Sequence, residues 1–85
     1  MDEFSKNENV WCNLGYVLAQ KNNFDEANSC YDKALALNPV HIQSLLNKAS
    51  LLIIQGDINK GKLYLNRILE LDPNNTKVTY LLSTL

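Results

Sequence analysis

The side chains able to do chemistry fall into two kinds. The first kind is titratable or nucleophilic, and it does not assemble. His41 is the single histidine of the 85 residues and follows Pro39 closely, which reads as a turn or surface position. Cys12 and Cys30 stand 18 apart with no CxxC and no neighbouring histidine. That pattern predicts two free thiols in a reducing, intracellular setting, taken as cytoplasmic. The carboxylates Asp25, Glu26, Asp32, Glu70 and Asp72 are scattered. No Ser–His–Asp set, glycine-rich phosphate loop or HExxH is present. Nothing gathers acid, base and nucleophile, so no enzyme, metal site or cofactor is expected.

The second kind is amide and phenol. Asn9, Cys12, Asn13 and Tyr16 are spaced i, i+3, i+4, i+7. Gln43, Leu46, Asn47 and Ser50 repeat that spacing, and so do Lys77, Tyr80, Leu81 and Thr84. Each set lies on one face of a helix if its segment is helical. An amide side chain both donates to and accepts from a peptide backbone. The chemistry offered is recognition.

The elements that must position these sets come from a repeat. "ALALNP" at 34–39 is echoed by "ILELDP" at 68–73. The offset of 34 also pairs Trp11 with Leu45, Gly15 with Ala49, Leu18 with Leu52, Phe24 with Ile58 and Ala27 with Gly61. It pairs Asn9 with Gln43 and Asn13 with Asn47. Self-similarity at a fixed period of this size marks a solenoid or array.

Each unit reads as two helices. Val10, Trp11, Leu14, Val17 and Leu18 recur at helical spacing behind a predicted capping box, Ser5 to Glu8. Lys21-Asn22-Asn23 breaks that helix, and Asn23 to Glu26 predicts a second box. Ala27, Cys30, Tyr31, Ala34, Leu35 and Leu37 continue until Pro39, where the chain turns into the next helix. The second unit predicts helices over about 40–55 and 58–71. Gly56-Asp57 makes its turn, and Asp57 is its N-cap. A fifth helix begins at about 75. No segment shows strand alternation or looks like a flexible linker.

These residues resemble the tetratricopeptide repeat, whose signature is W-x2-L-G-x2-Y, then A-x3-F, then P. The first unit has Trp11-x2-Leu14-Gly15-x2-Leu18, Ala27-x3-Tyr31, Ala34 and Pro39. The second has Leu45, Lys48, Ala49, Leu52, Gly61, Leu65, Ile68 and Pro73, with Lys48 where the family prefers an apolar residue. The resemblance implies an all-α, right-handed superhelix of antiparallel helix pairs, about five helices in one domain. Repeat one would cover about 8–41, repeat two about 42–75, and a partial third or capping helix 76–85. Gly15 should meet the helix of Ala27, and Ala49 that of Gly61.

In that family the first helix of each unit lines the concave face, where a peptide or helix of a partner protein is held. The implied site is Asn9, Cys12, Asn13, Tyr16, Gln43, Leu46, Asn47, Ser50, Lys77 and Tyr80, with Ile53 at the rim. Asn13 and Asn47 resemble an asparagine ladder. The family's carboxylate clamp is matched at Asn47 and Lys77, whereas Cys12, Tyr16 and Leu81 occupy its other positions. Chaperone-tail binding is therefore not expected.

Charge narrows the partners. A net charge of −1 without clustered Lys and Arg argues against nucleic acid. The longest apolar run, Leu51 to Ile54, is far short of the roughly 20 residues of a membrane span. The acidic N-terminus does not read as a signal peptide. Residues 1–41 carry three Lys against six acids, and residues 42–85 five Lys or Arg against three. That asymmetry is drift on solvated faces or a basis for head-to-tail association. Val78, Leu81, Leu82 and Leu85 either pack back on the second unit as a cap or leave an apolar C-terminal edge for homo-oligomers. The chain is equally readable as part of a longer array.

Overall fold

The computed structural model describes residues 6–85. It holds α1 Glu8–Gln20, α2 Phe24–Leu37, α3 Ile42–Ile54, α4 Ile58–Leu71 and α5 Thr76–Thr84, with no strand among the described residues. The helix ends recur with the period of the sequence. Asn7, His41 and Asn75 are N-caps of the first helices, each 34 from the next. Asn7 accepts the Asn9 N–H at 2.8 Å, and Asn75 accepts the Val78 N–H at 3.1 Å. The cap of α1 is thus Asn7 rather than the expected Ser5, which lies outside the described residues.

Both internal turns close the same way. Asn22 at φ 65° and Gly56 at φ 93° take the left-handed conformation at equivalent positions. Asn and Gly are the residues that tolerate it best. The Asn22 and Asn23 N–H groups return to Ala19 O and Leu18 O, and those of Gly56 and Asp57 to Ile53 O and Leu52 O. This is the Schellman arrangement. It explains why the expected Asn23–Glu26 box does not form. The Asn23 N–H that Glu26 would have accepted already serves Leu18, and the Asn23 side chain makes no capping bond. Asp57 does cap α4, through the Lys60 N–H at 3.3 Å. Helix α3 starts two residues later than expected because a turn occupies 38–41. There the Asn38 side chain accepts the Val40 N–H, and its carbonyl accepts the His41 N–H.

The helices form two layers, α1, α3 and α5 in one and α2 and α4 in the other, spanning 40 × 26 × 16 Å. Helix α1 packs on α2 and α3 on α4, with α2 against α3, α1 against α3 and α4 against α5. The two pairs cross closely at their small residues, as expected. A Cβ on Gly15 would stand 2.6 Å from Tyr31 Cε1 and 3.2 Å from the Ala27 carbonyl. A Cβ on Gly61 would stand 2.6 Å from Ile53 Cγ1 and 3.2 Å from the Ala49 carbonyl. Ile53 therefore packs at this crossing and not at the rim of a binding face.

Around the crossings lie two clusters, one of Cys12, Ala27, Tyr31, Ala34 and Leu51, the other of Leu45, Ala49, Leu65, Ile68 and Val78. Each includes a residue of the next first helix, Leu51 or Val78. Leu81 and Leu82 pack on the second cluster, and Leu85 remains exposed.

Two features depart from the apolar pattern. Val10, Leu14 and Val17 were expected to pack but are exposed. Their reason is visible one period on, where Lys48, the equivalent of Leu14, rests against the preceding α2. Helix α1 has no preceding helix among the described residues. Lys48 itself is buried at 9 % exposure. Its ammonium is ion-paired with Asp32 and donates to Asn28 Oδ1 at 3.4 Å. A charge is tolerated at this position because its partners accompany it.

Gly15→Leu should overpack the first crossing and cost about 1–3 kcal/mol or more. A melting temperature equal to wild type would show that the pair does not depend on this contact. A second expectation concerns alkaline pH. Burial pushes the Tyr31 phenol from its ordinary 10 up to about 12. Burial likewise raises the Cys30 thiol. The native state then holds the Tyr31 proton where the unfolded chain has released it, so stability falls as pH rises from 10 to 12. Urea midpoints followed across that window should fall less in Tyr31→Phe than in wild type. Equal slopes in the two proteins would remove Tyr31 as a source.

Candidate peptide-binding groove

The first helices present one shared cleft. It has a volume of about 480 Å³ and is lined by Asn13 and Tyr16 of α1, Gln43, Leu46, Asn47 and Ser50 of α3, and Lys77 and Leu81 of α5. Residues 43, 46, 47 and 50 meet there because they share one face of α3. A smaller hollow of about 140 Å³ adjoins it and shares Tyr16, Asn47 and Ser50, with Ala19, Leu51 and Ile54 among its apolar walls.

The amides are not equivalent. Asn13 is exposed. Asn47 is half-buried, and its Nδ2 donates to Cys12 Sγ at 3.3 Å while its Oδ1 accepts from Gln43 Nε2 at 3.1 Å. One N–H and one lone pair of Asn47 remain for a ligand. Lys77 is the one charged group of the lining. The groove is therefore close to neutral, with a single cation near its α5 end.

Three of the ten expected site residues lie elsewhere. Cys12 is 1 % exposed and belongs to the core. It sits three residues before Gly15, so it shares the face that packs at the helix crossing. Asn9 is exposed but outside the cleft lining, and its Oδ1 lies 2.9 Å from His41 Nε2. Tyr80 is 68 % exposed and lines a different hollow beside Pro73 and Asn74. It stands two residues, or about 200°, around α5 from Val78, so burial of Val78 turns it outward. Leu81 takes the inward place.

One structural residue was missed. His41 bridges α1 and α3, with Nδ1 2.6 Å from Ser44 Oγ and Nε2 2.9 Å from Asn9 Oδ1. A neutral ring protonated on Nε2 satisfies both contacts, donating to Asn9 and accepting from the Ser44 hydroxyl. The signal was present in the period, since His41 occupies the N-cap register of Asn7 and Asn75.

Comparison with known proteins agrees with the geometry. Models of the tetratricopeptide repeat match residues 8–41 and again 42–75. The chain is also similar to the general transcriptional corepressor trfA of Dictyostelium discoideum, with 33 % identity over 72 residues. Those residues are 85 % of this chain and 5 % of that protein, so the chain spans a small part of the relative it matches. With its paired helices, its 34-residue period of caps and turns, and these matches, the chain belongs to the tetratricopeptide repeat family.

Proposed function

We propose that this chain is a protein-interaction module that holds an extended segment of a partner protein in the cleft along α1, α3 and α5. The observation that carries the reading is the lining itself. Amides on neighbouring helices, Asn13 and the pair Gln43–Asn47, face one cleft that also offers Tyr16, Leu46 and an adjoining apolar hollow. Amides can satisfy the polar groups of a peptide backbone, while the hollow takes an apolar side chain of the ligand. Lys77 favours a carboxylate at the α5 end. The repeat family supports a scaffold role, and the corepressor relative supports a setting in transcriptional regulation. The two free thiols, both buried, support a reducing compartment.

A second reading has its own observation. The relative is matched over only 5 % of its length, which favours a unit that also works within a longer array. There the partly covered Leu81 and Leu82 and the exposed Leu85 would meet another helix.

Peptides selected from a random display library against the folded chain test the first reading. They should shift the side-chain amide resonances of Asn13, Gln43 and Asn47. Asn13→Ala combined with Gln43→Ala should weaken them by roughly tenfold, the scale of one or two lost hydrogen bonds. Both residues are exposed, so the melting temperature should stay near that of wild type. Selected peptides that shift only resonances outside the cleft, or that bind the double variant as tightly, would exclude the groove as the site.

A further inference from the structure

A second cleft opens on the opposite side of α3. Lys48 and Leu52 line it, and both lie about 150° or more around the helix from the mean direction of Gln43, Leu46, Asn47 and Ser50. Its volume is about 490 Å³, and its other walls are Asn28 and Asp32 of α2 and Lys60, Leu63, Tyr64 and Arg67 of α4. The lining carries three cations, Lys48, Lys60 and Arg67, against one carboxylate, Asp32, a net of +2. Lys48 is committed to Asp32 and Asn28 at the floor. Lys60 and Arg67 have no carboxylate partner among the described residues.

We propose that this cleft binds an acidic segment of a partner protein in which two carboxylates stand three residues apart with an apolar residue between them. The spacing follows from α4. Lys60, Leu63, Tyr64 and Arg67 are i, i+3, i+4, i+7 and form one stripe, cation, apolar, aromatic, cation. Leu63 is 67 % exposed. The Tyr64 ring lies 5.6 Å from the Arg67 guanidinium and 5.9 Å from the Lys48 ammonium. Seven residues of helix separate the two free cations by about 10 Å of rise. A ligand with two separated anionic groups fits that spacing better than a single phosphate does. A polyproline-type strand places residues i and i+3 on one face about 9 Å apart, which matches. The segment Glu-Leu-Pro-Glu thus sets its two carboxylates against Lys60 and Arg67, while its leucine, a third of a turn round the strand from them, faces a side wall of the cleft. Arg67 offers a carboxylate two parallel N–H bonds, and Lys60 offers the other a point charge. A second copy of the chain supplies no such extended segment, because no two of its nine acidic residues stand three apart.

The test uses the whole chain and a fluorescein-labelled peptide, Gly-Ser-Glu-Leu-Pro-Glu-Gly-Ser, followed by anisotropy. Wild type should bind it, more weakly at about 200 mM salt than at about 20 mM, as for exposed charges within a Debye length. Lys60→Gln with Arg67→Gln should lose roughly tenfold or more, and so should a peptide with Gln for both Glu. Circular dichroism melts of that variant should match wild type, since neither side chain is buried. The groove variant Asn13→Ala with Gln43→Ala should bind the acidic peptide as wild type does, which separates this cleft from the first. Equal binding of the Gln peptide or by the Lys60/Arg67 variant would overturn the proposal. So would absence of binding at millimolar protein, displacement by inorganic phosphate beyond chloride of equal ionic strength, or sedimentation showing that a second copy fills the cleft.

Discussion

Two close helix crossings govern this molecule. In each pair, one helix contributes a glycine and the other an alanine whose carbonyl lies 3.2 Å from where a glycine Cβ would stand. The order is reversed between units: Gly15 with Ala27, then Ala49 with Gly61. The constraint is thus on the summed bulk at the crossing, and either helix can yield. A glycine within a helix costs about 1 kcal/mol relative to alanine. The cost is met because a Cβ would drive into the buried Tyr31 ring or into Ile53. Once the pairs are held at this distance, the two layers follow, and the first helices are left side by side with a cleft along them.

The seam between the units is built differently. Inside each pair the contact is mainly apolar, whereas across the seam side-chain hydrogen bonds accompany the apolar contacts of Leu51 and Leu35. His41 joins α1 to α3 through Asn9, Asn47 joins them through Cys12, and Asn28 reaches Gln55 at 3.3 Å. Lys48 adds the ion pair with Asp32. Each such contact contributes modestly to stability, and each is satisfied in one register only. An all-apolar seam would tolerate sliding. A polar seam fixes how far the second pair is turned relative to the first, and therefore which α1 and α3 residues meet in the groove.

Much of the fold was legible because its constraints are periodic. The 34-residue echo located five helices, the turns at Asn22 and Gly56, and both crossings. The groove was legible in part, since seven of the ten expected residues line it. Two of the three misses, Cys12 and Tyr80, share one cause. Spacing of i, i+3, i+4 defines a stripe, but neighbouring residues differ by about 100° in direction. Cys12 and Asn13 could not be told apart by spacing, and only packing places one in the core and the other in the cleft. Tyr80 fails for the same reason, its direction being set by Val78. Lys60 and Arg67 entered the sequence reading only within the charge asymmetry of the two halves, because their stripe on a second helix is not repeated as a whole one period earlier. The equivalents of Lys60 and Arg67 are Glu26 and Lys33.

That lack of echo bears on how the two clefts divide the molecule. The groove uses positions that recur in every first helix, so added units would extend it. The cationic cleft uses residues specific to the second unit and depends on a lysine where the first unit has leucine. Its floor exists because Lys48 is too polar to close the gap between α2 and α4 and must keep Asp32 and Asn28 beside it. Adjacent residues on α3, Asn47 and Lys48, thus serve opposite sides. A helix polar on two faces draws its packing from the flanks between them. Leu45, Ala49 and Leu51 supply that packing, all at most 2 % exposed. Helix α3 is the shared wall, held between the crossings and therefore able to carry polar chemistry on both sides without loosening.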